Sequence, residues 1–285
     1  MIESATSVAW RQQRIIAAGH GISVFEAGNA DPHAQTVVLV HGLGHWTQAA
    51  WGNLVPLLDP ALRIVAFDLP GFGASDRPDV RYDSAFFSRV TESVLDQLVP
   101  GAFTLVGHSL GGYIAANYAA AHSERVERLV LIAPAGFLRA ARFVYALLGS
   151  QFARFFFMQR PSRAFVRRTM AQSVLAATSI DDAVYARAAD LAQEPEIRRA
   201  FAGVYMGAMQ DFAHAKPLHA RLATFRGPVL IVWGKHDRYI PIKALEPTRA
   251  VYPQASVLMC ERSGHLPMVE EPALLAAALR TFRAS

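Results

Sequence analysis

Short runs of β-branched and other apolar residues alternate along the chain with longer segments of helical periodicity. The runs are almost continuously apolar, which is typical of strands buried on both faces of a parallel sheet. This alternation predicts an α/β fold, a mostly parallel sheet with helices on both faces. The predicted strands are an antiparallel hairpin of Arg11–Ile16 and Ile22–Ala27, then Thr36–Val40, Leu62–Phe67, Phe103–Val106, Val130–Ile132, Val229–Trp233 and Ser256–Cys260. The predicted helices are Phe86–Leu98, Leu110–Ala121, Lys243–Val251 and Ala273–Phe282.

The alternation stops after Gly136 and resumes at Gly227. We therefore predict a core formed by residues 1–136 and 227–285, with a helical cap (a lid) inserted at residues 137–226. The inserted segment holds 13 Lys and Arg against 6 Asp and Glu, and its first arginines are interleaved with phenylalanines. Such a pattern is found in nucleic-acid binding proteins. The favoured interpretation is instead an amphipathic helical layer whose arginines face water while its apolar faces pack, so we expect no nucleic-acid partner. The arginines concerned are Arg139, Arg142, Arg154, Arg160, Arg163, Arg167 and Arg168.

Composition excludes several classes of protein. A hydrophobic content of 52% with a net charge of only +5 excludes a disordered chain. The single cysteine, Cys260, excludes an internal disulfide framework and a cysteine-based zinc site, and we expect it to be buried in a strand. Residues 1–10 have no basic leader, and no run approaches the roughly 18 apolar residues of a spanning helix. We therefore expect a cytoplasmic protein without membrane insertion.

The strand predicted at Phe103–Val106 runs into the segment Gly107-His108-Ser109-Leu110-Gly111-Gly112, which a helical pattern follows. A Gly-x-Ser-x-Gly sequence between a strand and a helix is typical of a nucleophile elbow, a sharp turn that projects the serine oxygen above the sheet. The backbone N–H of Leu110 lies at the start of that helix, where negative charge is stabilised. Ser109 is thus the candidate nucleophile, and Leu110 a candidate oxyanion donor.

A serine hydroxyl needs a base to remove its proton, and the base needs an acid that orients it. Asp237 follows the strand Val229–Trp233, and His265 follows the strand Ser256–Cys260. The chain order Ser109, Asp237, His265 is the order expected for a nucleophile-elbow protein. Histidine is suited to exchange protons near neutral pH. We therefore predict a catalytic triad of these three residues.

The loop after Thr36–Val40 supplies the second predicted oxyanion donor. It reads His41-Gly42-Leu43-Gly44, and glycines allow the backbone to approach a ligand closely. We assign the N–H of Leu43, paired with that of Leu110. His41 is interpreted as a structural hydrogen-bonding residue rather than a second base. His45 and Trp46 are candidates for the pocket entrance, although Trp46 fits an early helix core position equally well.

These segments together resemble the α/β-hydrolase superfamily. The resemblance is carried by His41–Gly44, by Asp68-Leu69-Pro70-Gly71-Phe72-Gly73-Ala74-Ser75, by Gly107–Gly112, by Gly234–Asp237 and by Gly264-His265. It implies an eight-stranded sheet, a serine hydrolase branch with an inserted helical cap, and no cofactor or metal. It also implies that the glycine-rich segment Pro70–Ser75 is a structural loop after the fourth strand. A phosphate loop is excluded there because no Lys-Ser/Thr pair follows.

The resemblance is specific for the superfamily and weak for the substrate. The Gly-His-Ser-Leu-Gly-Gly segment is similar to that of esterases, lactonases and lipase-like members, so we expect a carboxylic-ester hydrolase that acts through an acyl-enzyme on a small acyl or aryl ester. The alternative is a carbon–carbon bond hydrolase for vinylogous diketones, which would use the same triad and a cap arginine to hold a carboxylate. Many such enzymes have asparagine before the serine and tryptophan after the histidine, whereas this chain has His108 and Leu266. A cofactor-free oxygenase or lyase is less favoured, as is a non-catalytic small-molecule receptor on the same fold.

Further details stay open at the level of sequence. Apolar cap residues should form a pocket over Ser109, with Met206, Met209 and Phe212 as candidate liners that fit the cap core equally well. A homo-oligomer is compatible with the sequence. The natural substrate, the acyl chain length and the stereochemical preference are not fixed by these residues.

Overall fold

The computed structural model describes residues 9–138 and 142–284. Predictions for residues 1–8 and for Arg139, and any on the side chain of Arg142, lie outside the described residues. The strands are β1 (Arg11–Ala17), β2 (His20–Gly28), β3 (Thr36–Val40), β4 (Arg63–Phe67), β5 (Phe103–His108), β6 (Val126–Ile132), β7 (Val229–Gly234) and β8 (Ser256–Cys260). The helices are α1 (Thr47–Trp51), α2 (Ser84–Leu98), α3 (Leu110–Ala121), α4 (Arg142–Leu148), α5 (Gln151–Met158), α6 (Arg163–Ala171), α7 (Asp182–Leu191), α8 (Pro195–Phe212), α9 (Ala215–Leu222), α10 (Leu245–Val251), α11 (Pro267–Glu270) and α12 (Pro272–Ala284).

All eight strands form one sheet in the order β1-β2-β4-β3-β5-β6-β7-β8. Strand β2 is antiparallel to both β1 and β4, and the remaining neighbours are parallel. The predicted eight-stranded, mostly parallel sheet is therefore confirmed, including its opening hairpin. The direction of strand progression reverses between β3 and β5. In open α/β sheets, ligands bind at such a reversal, beyond the carboxyl ends of the strands.

Alternate side chains of the parallel strands enter two apolar cores, one on each face of the sheet. In β3, Val38 and Val40 belong to the core that contains α2 and α3, whereas Val37 and Leu39 belong to the core that contains α1 and α12. Because both faces are covered, these strands need apolar residues at every position, which explains their continuous apolar runs. Cys260 is fully buried at the end of β8, as predicted, and burial raises the pKa of its thiol to about 12.

Between β6 and β7, the described residues form helices α4 to α9 and no strand. The carboxylate of Asp211 on α8 ties this insertion to the layer beside the sheet. Its Oδ2 accepts hydrogen bonds from the N–H of Ser84 (2.8 Å) and from the hydroxyl of Tyr113 (3.1 Å). The assignment of residues 137–226 as a separate cap domain stays a prediction. Along the described chain, no helix combines the length and the apolar character needed to cross a membrane.

The expectation that the apolar faces of the insertion pack while its arginines face water is wrong for α4 and α5. Helix α5 packs against α8 on one side only, where the ring of Phe157 lies 5.4 Å from that of Phe201. On its opposite side Phe152, Phe155 and Phe156 are 60–77% exposed. The spacing i, i+3, i+4 places these rings on one stripe of the helix. The helix therefore has two apolar sides, and only one of them is covered.

The loop after β4 fixes the loop after β3 through a buried carboxylate. Asp68 is 1% exposed, and its two side-chain oxygens accept hydrogen bonds from the N–H groups of Thr47 and Ala74, both at 2.8 Å. Gly73 has a φ of +53°, and a Cβ there would lie 1.9 Å from Asp68 Oδ2. The segment Pro70–Ser75 thus wraps around a carboxylate of the protein itself, which agrees with a structural role.

Replacing Asp68 by alanine should lower the free energy of unfolding by about 3 kcal/mol, because two backbone N–H groups lose their acceptor. Urea unfolding measures the effect. Asp59→Ala is the matched control, since the exposed Asp59 carboxylate accepts one local N–H, and it should cost under about 1 kcal/mol. Equal losses in the two variants would show that Asp68 does not hold the loops together.

Candidate active site

Ser109 occupies a strained turn between β5 and α3. Its φ is 53° and its ψ is −115°, a region that non-glycine residues rarely adopt. The turn is held by backbone hydrogen bonds: the N–H of Ser109 donates to the carbonyl of Ile132 (2.9 Å), and its own carbonyl accepts from Tyr113 and Ala135. Strain of this kind costs about 1–3 kcal/mol and persists only where the surroundings impose it. The structure thus places Ser109 in the geometry of a nucleophile elbow.

The glycines on either side of Ser109 are required by close backbone contacts. A Cβ on Gly107 would lie 2.3 Å from the carbonyl oxygen of Gly111, and a Cβ on Gly111 would lie 2.2 Å from that of Val40. A side chain on Gly107 would push the start of α3 away from β5, and one on Gly111 would push it away from β3. The Gly-x-Ser-x-Gly spacing is therefore a packing requirement of the turn.

His265 and Asp237 are directly joined. The ring Nδ1 of His265 lies 2.7 Å from Oδ2 of Asp237, and both residues are buried. The other carboxylate oxygen accepts hydrogen bonds from the N–H groups of Tyr239 (2.8 Å) and Ile240 (2.9 Å). Asp237 is thus fixed in orientation, and its bond assigns the proton to Nδ1 of His265. The lone pair of His265 is left on Nε2, the nitrogen that a base would use.

Ser109 lies beside this pair through its neighbour His108. The Nε2–H of His108 donates to the carbonyl of His265 at 2.9 Å, and the two imidazole rings are 4.7 Å apart. No hydrogen bond joins the hydroxyl of Ser109 to Nε2 of His265 within the described structure. Nucleophile–base contacts are often loose before substrate binds. All three predicted side chains are therefore at the same sheet edge, and two of them are bonded.

The two predicted oxyanion donors have no hydrogen-bond partner in the part of the chain that the structure describes. Among the described residues, the N–H groups of Leu43 and Leu110 donate no hydrogen bond. The Leu43 loop passes beside the nucleophile, because a Cβ on Gly42 would lie 3.0 Å from the Cβ of Ser109. Two free donors next to the turn are compatible with an oxyanion hole, and their assignment stays a prediction.

Three other histidines near the site are held neutral. Burial lowers the pKa of His41 and of His108, and burial together with the neighbouring His41 and His265 lowers the pKa of His45 to about 3. His41 accepts from the N–H of Leu69 at Nε2 (2.9 Å) and its Nδ1 lies 2.8 Å from the carbonyl of Gly42, so both nitrogens serve the loops, as predicted for a structural residue. The Nδ1 atoms of His45 and His108 are buried without a partner. Both atoms are closed to solvent, and none of the described residues forms a hydrogen bond with them.

The histidine loop is fastened to the insertion, which the sequence did not indicate. The N–H of His265 donates to the carbonyl of Ser173 at 2.6 Å. Glu270 accepts from the N–H groups of Gly264 (2.7 Å) and Leu175 (2.6 Å), and burial raises the pKa of its carboxyl. The backbone that carries His265 is thus held from two sides. No local sequence motif predicts such contacts, because they join segments about 90 residues apart.

A second contact of the insertion joins it to the loop after β3. The guanidinium of Arg187 on α7 lies 5.0 Å from the centre of the Trp46 ring, in the loop after β3. Arg187 is exposed, and within the described chain it forms no ion pair. Trp46 is 4% exposed and precedes α1, a buried position. Of the candidate liners, Phe212 and Met209 pack into the main core, and Met206 is buried on the same helix.

Metal chemistry has no evident ligand set here. Among the residues described, no group of three or more His, Cys, Asp or Glu side chains is arranged to hold a metal ion. The site therefore consists of a serine, a carboxylate-paired histidine, free N–H donors and neutral imidazoles.

Comparisons with known proteins find similar hydrolases. Two curated hydrolases are similar over most of their length. One is the 2-hydroxy-6-oxononadienedioate/2-hydroxy-6-oxononatrienedioate hydrolase of Cupriavidus pinatubonensis, 29% identical over 81% of this chain and 81% of that protein. The other is the 2-hydroxy-6-oxo-6-(2'-aminophenyl)hexa-2,4-dienoic acid hydrolase of Metapseudomonas resinovorans, 27% identical over 99% of this chain and 93% of that protein.

A solved structure shows the same fold. The 2-hydroxy-6-oxo-6-phenylhexa-2,4-dienoate hydrolase from Rhodococcus sp. strain RHA1 superposes with a TM-score of 0.83 over 98% of this chain and 100% of its own, at 21% identity. The family model described as the alpha/beta hydrolase fold matches residues 35–272, which include β3 and every predicted site residue. The chain therefore belongs to the alpha/beta hydrolase family.

Proposed function

We propose that the protein is a serine hydrolase in which Ser109 is the nucleophile, His265 the general base and Asp237 the orienting acid. The observation that carries this proposal is the 2.7 Å bond between His265 and Asp237 beside a serine on a strained elbow. A serine alcohol gains nucleophilicity from a base whose tautomer is fixed by a carboxylate. His265 is the base because it alone among the site's four histidines combines a carboxylate partner with a free Nε2. His41, His45 and His108 have lowered pKa values and are poor proton acceptors.

In the proposed reaction, Nε2 of His265 takes the proton of Ser109 as Oγ adds to a substrate carbonyl. The N–H groups of Leu43 and Leu110 stabilise the oxyanion, and loss of one such donor typically costs about 3–4 kcal/mol. Protonated His265 then gives its proton to the leaving group, and the acyl group stays on Ser109. Water activated by the same histidine hydrolyses the acyl-enzyme and restores both residues.

The substrate class that we favour is a 2-hydroxy-6-oxo dienoate, which makes the protein a carbon–carbon bond hydrolase of the meta-cleavage-product type. The two curated relatives are named for substrates of this kind. Such compounds contain no ester, so hydrolysis at the 6-oxo carbonyl must break the bond between C5 and C6. The electron pair of that bond is accepted by the vinylogous carbonyl at C2 after ketonisation. Addition of one water then yields a carboxylic acid from C6 and a 2-hydroxypentadienoate from C1–C5.

Arg187 supplies the group that distinguishes this substrate from a simple ester. A dienoate carries a carboxylate, and a guanidinium binds carboxylates through charge-assisted hydrogen bonds. Arg187 is an unpaired cation of the insertion that contacts the loop bearing Leu43 and Trp46.

Carboxylic-ester hydrolysis is the second candidate function. Two residues favour it, since His108 and Leu266 replace the asparagine and tryptophan found in many carbon–carbon hydrolases. Leu266 is 1% exposed and packs in the core beside α12, so its side chain offers no contact to a ligand. The triad chemistry is the same for both substrates.

Ser109→Ala should lower kcat by roughly 10⁴-fold or more on either substrate class, because the attacking oxygen is removed. Ser88→Ala, on α2 and away from the site, should leave turnover unchanged. For the unaltered protein, kcat/KM for 2-hydroxy-6-oxo-6-phenylhexa-2,4-dienoate should exceed that for p-nitrophenyl acetate by at least about 100-fold, since only the dienoate uses Arg187. The reverse ranking would make ester hydrolysis the function. Turnover by the Ser109 variant would refute the mechanism, and turnover of neither substrate by the unaltered protein would favour the receptor interpretation.

Arg187→Gln should lower kcat/KM for the dienoate by roughly 10–100-fold, the equivalent of one lost charge-assisted hydrogen bond. The uncharged p-nitrophenyl acetate should be hydrolysed at an unchanged rate. Arg89→Gln, an exposed arginine of α2, is the control. An equal loss on both substrates would show that Arg187 acts on the fold rather than on a carboxylate.

The buried neutral histidines predict a pH dependence of stability. The pKa values of His41 and His108 are lowered below 6.5 by burial, so below that pH the unfolded chain binds protons that the folded chain does not. The free energy of unfolding should therefore fall on acidification below about pH 6.5, by up to about 1.4 kcal/mol per pH unit for each histidine. Urea unfolding at pH 5.5 and 7 measures this slope. His108→Gln should reduce it by one proton, and an unchanged slope would mean that His108 is charged in the folded protein.

A further inference from the structure

The helices α4, α5 and α6 present an exposed apolar surface that neither the fold nor the proposed site uses. Six side chains form it, and each is 52–77% exposed. We call it the phenylalanine face. Its members are Phe143, Leu147, Phe152, Phe155, Phe156 and Phe165.

The orientation of this face is fixed by packing on the opposite side of the same helices. In α4, Tyr145 is buried and its hydroxyl donates to the carbonyl of Leu138. In α5, Phe157 packs between Phe201 (5.4 Å) and Tyr205 (4.7 Å) on α8. With these inner side chains packed, the rings on the opposite side of the helices are left exposed.

The stretch of sequence that forms the phenylalanine face carries only positive charge. Between residues 137 and 180 the sequence contains seven arginines and no Asp or Glu. Arg163 and Arg167 form ion pairs with Asp190 and Asp182 of α7. Arg154 and Arg168 are exposed, and in the described structure neither forms an ion pair. Arg154 lies within the same helix as the exposed rings.

We infer that the phenylalanine face docks on an anionic phospholipid surface. Short helices that expose aromatic rings beside unpaired cations lie in the plane of a bilayer interface, with the rings among the acyl chains and the guanidinium groups at the phosphates. The attraction of each unpaired arginine to acidic headgroups adds to the burial of the rings. The contact is peripheral and needs no spanning segment.

A second copy of the chain is a poorer occupant of the same face. In a twofold contact, equal surfaces meet, so the arginines of one face would approach those of the other. The stretch that forms the face has no carboxylate to compensate them. An acidic surface supplies the missing charge.

Co-sedimentation with lipid vesicles tests the inference. The full chain should bind vesicles of phosphatidylcholine and phosphatidylglycerol at 7:3, and binding should weaken at least about tenfold with phosphatidylcholine alone or at high salt. The triple variant Phe152→Ser, Phe155→Ser, Phe156→Ser should lose binding. Arg154→Gln with Arg168→Gln should weaken it several-fold without touching the rings. Ile16→Ser and Arg89→Gln, exposed residues outside the insertion, are the matched controls and should bind like the unaltered chain.

Three results would overturn the inference. The unaltered chain fails to bind the acidic vesicles, or the ring and arginine variants bind as well as the controls do. In the third, light scattering shows a dimer that the triple serine variant converts to a monomer, which assigns the face to self-association. Because binding is measured without turnover, the proposed hydrolase function is tested separately.

Discussion

The active centre depends on how closely two turns of backbone approach each other at the reversal of strand order. Gly111 sits against the carbonyl of Val40, so the start of α3 lies directly behind the end of β3. That contact holds Ser109 at a positive φ and brings the Gly42–Leu43 loop beside its side chain. A single methyl group at Gly111 would push the proposed nucleophile Ser109 away from the loop predicted to hold the oxyanion. Glycine is required here because a larger residue would keep the two loops apart.

The histidines of the site differ in their hydrogen-bond partners, and these partners indicate different roles. His41 and His108 are bonded to backbone groups, and burial keeps them uncharged. His265 is bonded to a carboxylate, which is the partner that stabilises an imidazolium. The same residue type therefore serves as structural support in the interior and, in the proposed mechanism, as a base at the sheet edge. The difference lies in the acceptor on the second nitrogen.

The fold and the positions of the site residues could be predicted from the sequence because they follow local rules. Continuous β-branched runs gave the strands, and the residue after each strand end gave Ser109, Asp237 and His265. The contacts of the insertion could not be predicted, because the hydrophobic periodicity of a helix does not indicate which loop the helix contacts. Ser173, Glu270 and Arg187 belong to this group. The exposed rings of α5 were missed for a related reason, because apolar residues on two sides of a helix do not reveal which side is covered.

The bond from the N–H of His265 to the carbonyl of Ser173 links the backbone of the proposed base to the insertion. Residues 173–175 belong to the insertion, and they also hold the backbone around the proposed base in place. Any movement of residues 173–175 away from His265 would break that hydrogen bond, together with the bond from Leu175 to Glu270. The position of the proposed base is therefore tied to the position of the insertion, so that a change in one segment is transmitted directly to the other.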